Sequence, residues 1–111
     1  MKIDPYAEVR RICAGLPQVV EHESDIGVRF KIRGRNVAEV FEWQGSGPMI
    51  VVWVDPDERE FLLAGGHPYF ALRHTDARIG FVVEDTTDWV EVAELVTESY
   101  RRIAPRSWSR S

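Results

Sequence analysis

The residues best placed to do chemistry in this chain are the bases of Arg29-Phe30-Lys31-Ile32-Arg33-Gly34-Arg35. In an extended strand alternate side chains take opposite faces, so Arg29, Lys31 and Arg33 share one face and Phe30 and Ile32 the other. Arg35 falls in the turn that Gly34-Arg35-Asn36 predicts, so four positive charges project from one hairpin. The chemistry open to such a wing is contact with a phosphate backbone, which gives salt-dependent and largely sequence-independent affinity through counterion release. The competing reading is an ordinary half-exposed strand whose polar face meets water, with Lys31 pairing to Glu39 across the hairpin.

No other group of residues carries a comparable pattern. His22, His67 and His74 have no metal-ligand spacing and no cysteine pair beside them, so they are expected to be structural or surface histidines, with no metal and no cofactor. The acidic run Asp55 to Glu60 lacks the EF-hand loop pattern, and helix capping accounts for Asp55, Asp57 and Glu58. There is no GxSxG elbow, and Gly65-Gly66-His67 is too short to cradle a phosphate. The pair Gly65-Gly66 reads instead as the end of a helix. No enzyme is expected.

Charge and length frame these readings. The chain has 111 residues and a net charge of −4, which argues against a surface that binds polyanions all round. Distribution matters more than the sum: Ile79 to Tyr100 holds six acids and no Lys or Arg, whereas Arg101, Arg102, Arg106 and Arg110 follow within the last eleven residues. Arg101, Arg102 and Arg106 are therefore candidate helpers of the hairpin. The single Cys13 lies on the apolar face of a predicted helix and reads as a buried thiol, which excludes an internal disulfide. No apolar run approaches a membrane span and no signal-peptide core is present, so the expectation is a cytoplasmic protein that contacts no membrane.

The elements that must position the hairpin are legible in order. Asp4-Pro5 predicts a helix start, and Val9, Ile12, Cys13 and Leu16 make its apolar stripe before Gly15 and Pro17 end it. Gln18 to Trp43 predicts two or three antiparallel strands, and Gly45-Ser46-Gly47-Pro48 turns the chain into Met49-Ile50-Val51-Val52-Trp53-Val54, an apolar run that reads as a strand buried on both faces. Asp55-Pro56-Asp57-Glu58 then predicts a capping box opening a short helix with Phe61, Leu62 and Ala64 on its inner face. Tyr69–Leu72 and Ile79–Glu84 read as strands. Asp88 caps a last helix with the stripe Val92, Leu95, Val96, Tyr100 and Ile103, stopped by Pro105. The fold expected is α+β, a two-layer sandwich of helices on an antiparallel sheet in the order α, three or four β, α, two β, α. Residues 1–105 form one domain, with 106–111 as a tail. Trp108 in that tail is expected to dock on its own domain or on a second subunit.

Several phrases in this order resemble the MmcQ/YjbR-like family of small bacterial domains. They are Leu16-Pro17 followed by Glu21 to Glu23, the strand Arg29 to Arg35, the strand-to-helix phrase Val52 to Leu63, and Asp88 to Leu95 running on to Ser99-Tyr100-Arg101-Arg102-Ile103-Ala104-Pro105. The resemblance covers about Tyr6 to Pro105. It implies a sandwich of the kind also found in secretion chaperones and a DNA-binding role through a wing of hairpins, with no catalytic set. The alternative is a non-enzymatic protein-interaction or chaperone-like domain, acting as a homodimer.

Overall fold

The computed structural model describes residues 3–42, 45 and 47–104. Apolar alternation between Val20 and Trp53 folds into four strands, β1 (Val20–Glu23), β2 (Gly27–Ile32), β3 (Arg35–Glu42) and β4 (Pro48–Trp53). Three helices, α1 (Pro5–Ala14), α2 (Pro56–Ala64) and α3 (Trp89–Ile103), and two more strands, β5 (Tyr69–Ala71) and β6 (Arg78–Val82), complete the order read from the sequence. All six strands join one antiparallel sheet in the order β1-β2-β3-β4-β6-β5. No helix among the described residues is long and apolar enough to cross a membrane.

Period two sorts the sheet into two faces. Val28, Phe30, Ile32, Ala38, Val40, Ile50, Val52, Ile79 and Phe81 turn to the helices, where they meet Val9 and Cys13 of α1 and the whole predicted stripe of α3. The opposite face carries Arg29, Glu39, Val51, Arg78 and Gly80 by register. Val51 is nevertheless only 6% exposed, so the expectation that β4 is buried on both sides holds. Gly80 is required on that face: a Cβ there would stand 2.3 Å from the Phe70 ring, which lies over the strand.

Helix starts follow the sequence in two cases of three. Asp4 accepts a hydrogen bond from the Tyr6 amide at 2.9 Å, and Asp88 accepts from those of Val90 and Glu91 at 3.0 and 3.3 Å. Asp55 differs. It occupies the N-cap of α2 but its carboxylate caps nothing, because it is engaged by the Arg102 guanidinium at the far end of α3. The inner face of α2 is borne out in part: Leu62 packs on the core as expected and Leu63 joins it, whereas Phe61 is 78% exposed and Ala64 is exposed too. The inward stripe runs through Arg59, Leu62 and Leu63 at i, i+3 and i+4, and Arg59 satisfies its head by donating to the Arg78 carbonyl at 2.9 Å.

One irregularity shapes the region below the basic hairpin. Phe30 pairs with Ala38 but Lys31 pairs with Asn36, so Val37 is an extra residue in β3, a bulge. The buried hydroxyl of Ser99 on α3 fills the resulting gap, donating to the Val37 carbonyl and accepting from the Trp53 amide at 3.0 Å. Trp53 adds an indole N–H to the Asn36 carbonyl at 2.7 Å. Hairpin, central strand and longest helix are thus tied at one end of the sheet.

Candidate functional site

The hairpin expected at Arg29–Arg35 forms, with its turn one residue earlier than predicted. Arg33 and Gly34 are the two central residues, with φ of 49° and 79°, and Ile32 faces Arg35 across them. Positive φ at both positions is the signature of the type I′ turn, whose twist matches that of the flanking strands. Gly34 tolerates it at no steric cost, whereas Arg33 was read as a strand residue because only one glycine signals the turn.

That shift redistributes the four charges. Arg29 and Lys31 share the sheet face away from the helices, as expected. Arg33 sits exposed at the tip, and Arg35, opposite the buried Ile32, takes the helix side of the sheet and is exposed. The cross-strand pair also differs: Arg29, not Lys31, meets Glu39, with Nε 3.2 Å from Oε2. The earlier turn sets Lys31 opposite Asn36, and the bulge then brings Arg29 opposite Glu39.

The candidates on α3 join the same end of the sandwich. Ser99 contacts Val37 and Trp53 beside the turn, so Arg101 and Arg102 in the last helical turn lie at the hairpin's end of the sheet. Both arginines are engaged at the surface, Arg101 with Glu98 at 2.7 Å and Arg102 with Asp55. Exposed pairs of this kind are worth about 0–1 kcal/mol and exchange readily for a stronger anion. Arg106, Trp108, Pro105 and Trp43 lie outside the described residues. Of the histidines, His22 stands exposed on the edge strand β1 and His74 is exposed in the loop before β6.

The opposite end of the sandwich holds a cavity of about 310 Å³ that the sequence did not announce. Phe81, Val92 and Leu95 line it, Tyr69 forms a wall, and Glu84, Asp88 and Glu91 contribute carboxylates. The His67 ring hydrogen-bonds Glu84, and the Tyr69 hydroxyl donates to Glu91. Burial raises the Tyr69 pKa well above the usual phenol value, and the bond to Glu91 and the charges of Glu91, Glu58 and Asp88 raise it further, so the ring stays protonated. A second groove, which shares Glu84 with it, is lined by Glu42, Glu84 and Asp85, and among the described residues no Lys or Arg lines either one. The residues come from β5, β6, the 84–87 turn and α3, so no local spacing could have joined them; the base-free run from Ile79 to Tyr100 was the one available signal.

The family comparison agrees with the architecture. The YjbR family model matches residues 14–102. Among solved structures the chain is similar to the crystal structure of the Deinococcus radiodurans protein DR2400, which carries the domain DUF419. The TM-score is 0.75 at 21% identity, over 92% of this chain and 80% of that one. No curated protein matches the sequence.

Proposed function

Because the chain belongs to the YjbR family, we propose that it is a DNA-binding module that holds phosphate backbones with the β2–β3 turn and the last turn of α3. The observation that carries this reading is the meeting of four exposed arginines, Arg33, Arg35, Arg101 and Arg102, at one end of the sandwich. Lys31 extends the row on the outer sheet face, and Arg106 continues it along the chain. Arg29 contributes less than its position in the sequence suggests, because its partner Glu39 is only 16% exposed and holds it more firmly than the exposed Glu98 and Asp55 hold Arg101 and Arg102. The turn is rigid enough to present its charges, being closed by a two-residue connection and anchored at its base by Ser99 and Trp53. Base-specific readout is not part of the proposal, since arginines on a hairpin tip position a duplex without reading it.

The alternative, a protein-interaction domain dimerising through its sheet, has less support. The edge strand β1 exposes Glu21, His22 and Glu23, and charges on an edge oppose strand addition.

Fluorescence anisotropy of a labelled duplex, titrated with the protein at several salt concentrations, tests the proposal. Losing two phosphate contacts in the variant R33E/R35E should make the slope of log affinity against log salt shallower by about 1.8. Affinity should fall alike for unrelated sequences. Asp55→Asn, which releases Arg102, should strengthen binding slightly. Equal affinity and slope for wild type and R33E/R35E would refute the reading.

A further inference from the structure

We propose that the cavity between β6, the 84–87 turn and the start of α3 binds a small organic cation, an amidinium or ammonium carried on a compact apolar body. Its volume of about 310 Å³ falls at the small end of ligand sites, which run from about 300 to 1,000 Å³. The lining divides into the two parts such a ligand needs. Phe81, Val92 and Leu95 offer an apolar floor, and Tyr69, whose ring centroid lies 5.7 Å from that of Phe81 at 59°, adds an aromatic wall. Glu84, Asp88 and Glu91 bring three carboxylates, of which Glu84 is engaged by the His67 ring, and among the described residues no Lys or Arg lines the cavity.

Two details decide the sign of the charge the cavity selects. A helix start ordinarily favours an anion because its first amides lack partners. Here Asp88 Oδ1 already accepts from the Val90 and Glu91 amides, so that donor set is consumed by the protein itself. The second oxygens of Asp88 and Glu91 make no hydrogen bond among the described residues, which leaves acceptors for an N–H fork. Tyr69, held protonated with its hydroxyl committed to Glu91, supplies a ring face rather than a charge, and a cation over an aromatic face gains further attraction. The site lies at the acidic end of the molecule and shares no residue with the arginine end.

The test titrates the ¹⁵N-labelled protein with three probes that share one ring: benzamidine (cationic), benzamide (neutral) and benzoate (anionic). Benzamidine should shift the amides of Tyr69, Glu84, Glu91 and Val92 saturably, benzamide should bind at least tenfold more weakly, and benzoate should leave those amides unmoved. Glu91→Gln and Glu84→Gln should each weaken benzamidine at least fivefold, whereas Glu98→Gln, on the same helix outside the cavity, should leave it unchanged. The spectrum of each variant reports its folding, and Glu84→Gln carries the test if Glu91→Gln unfolds. Equal binding of benzamide and benzamidine would overturn the proposal. So would saturable shifts confined to the groove at Glu42 and Asp85, or no saturable shift at millimolar benzamidine.

Discussion

Ser99→Ala probes the joint that holds the basic turn. The Ser99 side chain is fully buried, and its hydroxyl serves two main-chain groups, the Trp53 N–H and the Val37 carbonyl. Both would lose their partner in alanine. A buried group left unpaired costs about 1–3 kcal/mol, so two such groups set an upper range of about 2–6 kcal/mol. Partial closure of the bulge would let Val37 and Trp53 approach each other and recover some of this, which leaves an expected loss of about 2–4 kcal/mol. For a domain of this size that corresponds to a fall in Tm of about 8–16 °C. Urea unfolding followed by tryptophan fluorescence should show the loss with an unchanged m-value, and exchange of the Trp53 amide should accelerate. Glu98→Ala, one residue earlier and exposed, should stay within about 0.5 kcal/mol of wild type. A loss below about 1 kcal/mol with the Trp53 amide still protected would refute the reasoning. It would mean that the strands meet without the hydroxyl.

Two further predictions concern the core. At Gly27 a Cβ would stand 2.0 Å from the Val40 carbonyl oxygen and 2.7 Å from the Phe41 Cα, both backbone, so Gly27→Ala should break the β2–β3 ladder. Gly80→Ala meets the Phe70 ring instead, which can swing off the edge at a cost of about 1–3 kcal/mol. Equal denaturant midpoints for the two variants would contradict this. Burial pushes the Cys13 thiol from the ordinary 9.0 up to about 12. The unfolded chain therefore releases this proton first, and stability that is intact below pH 9.0 declines as pH rises toward about 12. The gap corresponds to about 4 kcal/mol at 1.36 kcal/mol per pH unit, and Tyr69, raised in the same direction, adds to the decline. Cys13→Ala should flatten the curve in that window; a curve parallel to wild type would remove the thiol from the explanation.

Much of the fold was legible because local rules agreed. The Asp-Pro start of α1, the Asp88 cap and stripe of α3, and the unbroken apolar run of β4 each point to one structure, and each formed as read. The resemblance to YjbR-like domains rested on the order of those same phrases, and the family match bears it out. Misreadings fell where a distant partner outcompeted a local one. Asp55 has every local reason to cap α2, yet Arg102, 47 residues away, holds its carboxylate. Phe61 reads as an inner residue of α2, but the apolar stem of Arg59 lies inward and Phe61 turns out. Lys31 misses Glu39 because the turn falls on Arg33 and Gly34, and Arg29 takes it through a bulge that no residue type marks, since Val37 is as good a strand former as any neighbour. The cavity was least legible of all, being assembled from loops and elements whose side chains meet only after the sheet has closed.

Arg33, Arg35, Arg101 and Arg102 stand at the end opposite Glu42, Glu84, Asp85, Asp88 and Glu91 in a molecule of net charge −4, with Glu98 and Asp55 paired to two of the arginines. Its longest dimension is 38 Å. At about 0.1 M salt the screening length is about 10 Å, so a polyanion approaching the arginines senses that end alone. At about 0.01 M the length grows to about 30 Å, and the approaching chain senses the net negative charge of the whole body as well. Attraction of a polyanion through the hairpin, as proposed, would therefore be near-sighted. A polyanion held there would lie end-on, and the net negative charge of the body would keep the low-salt gain in affinity below what the arginines alone would give.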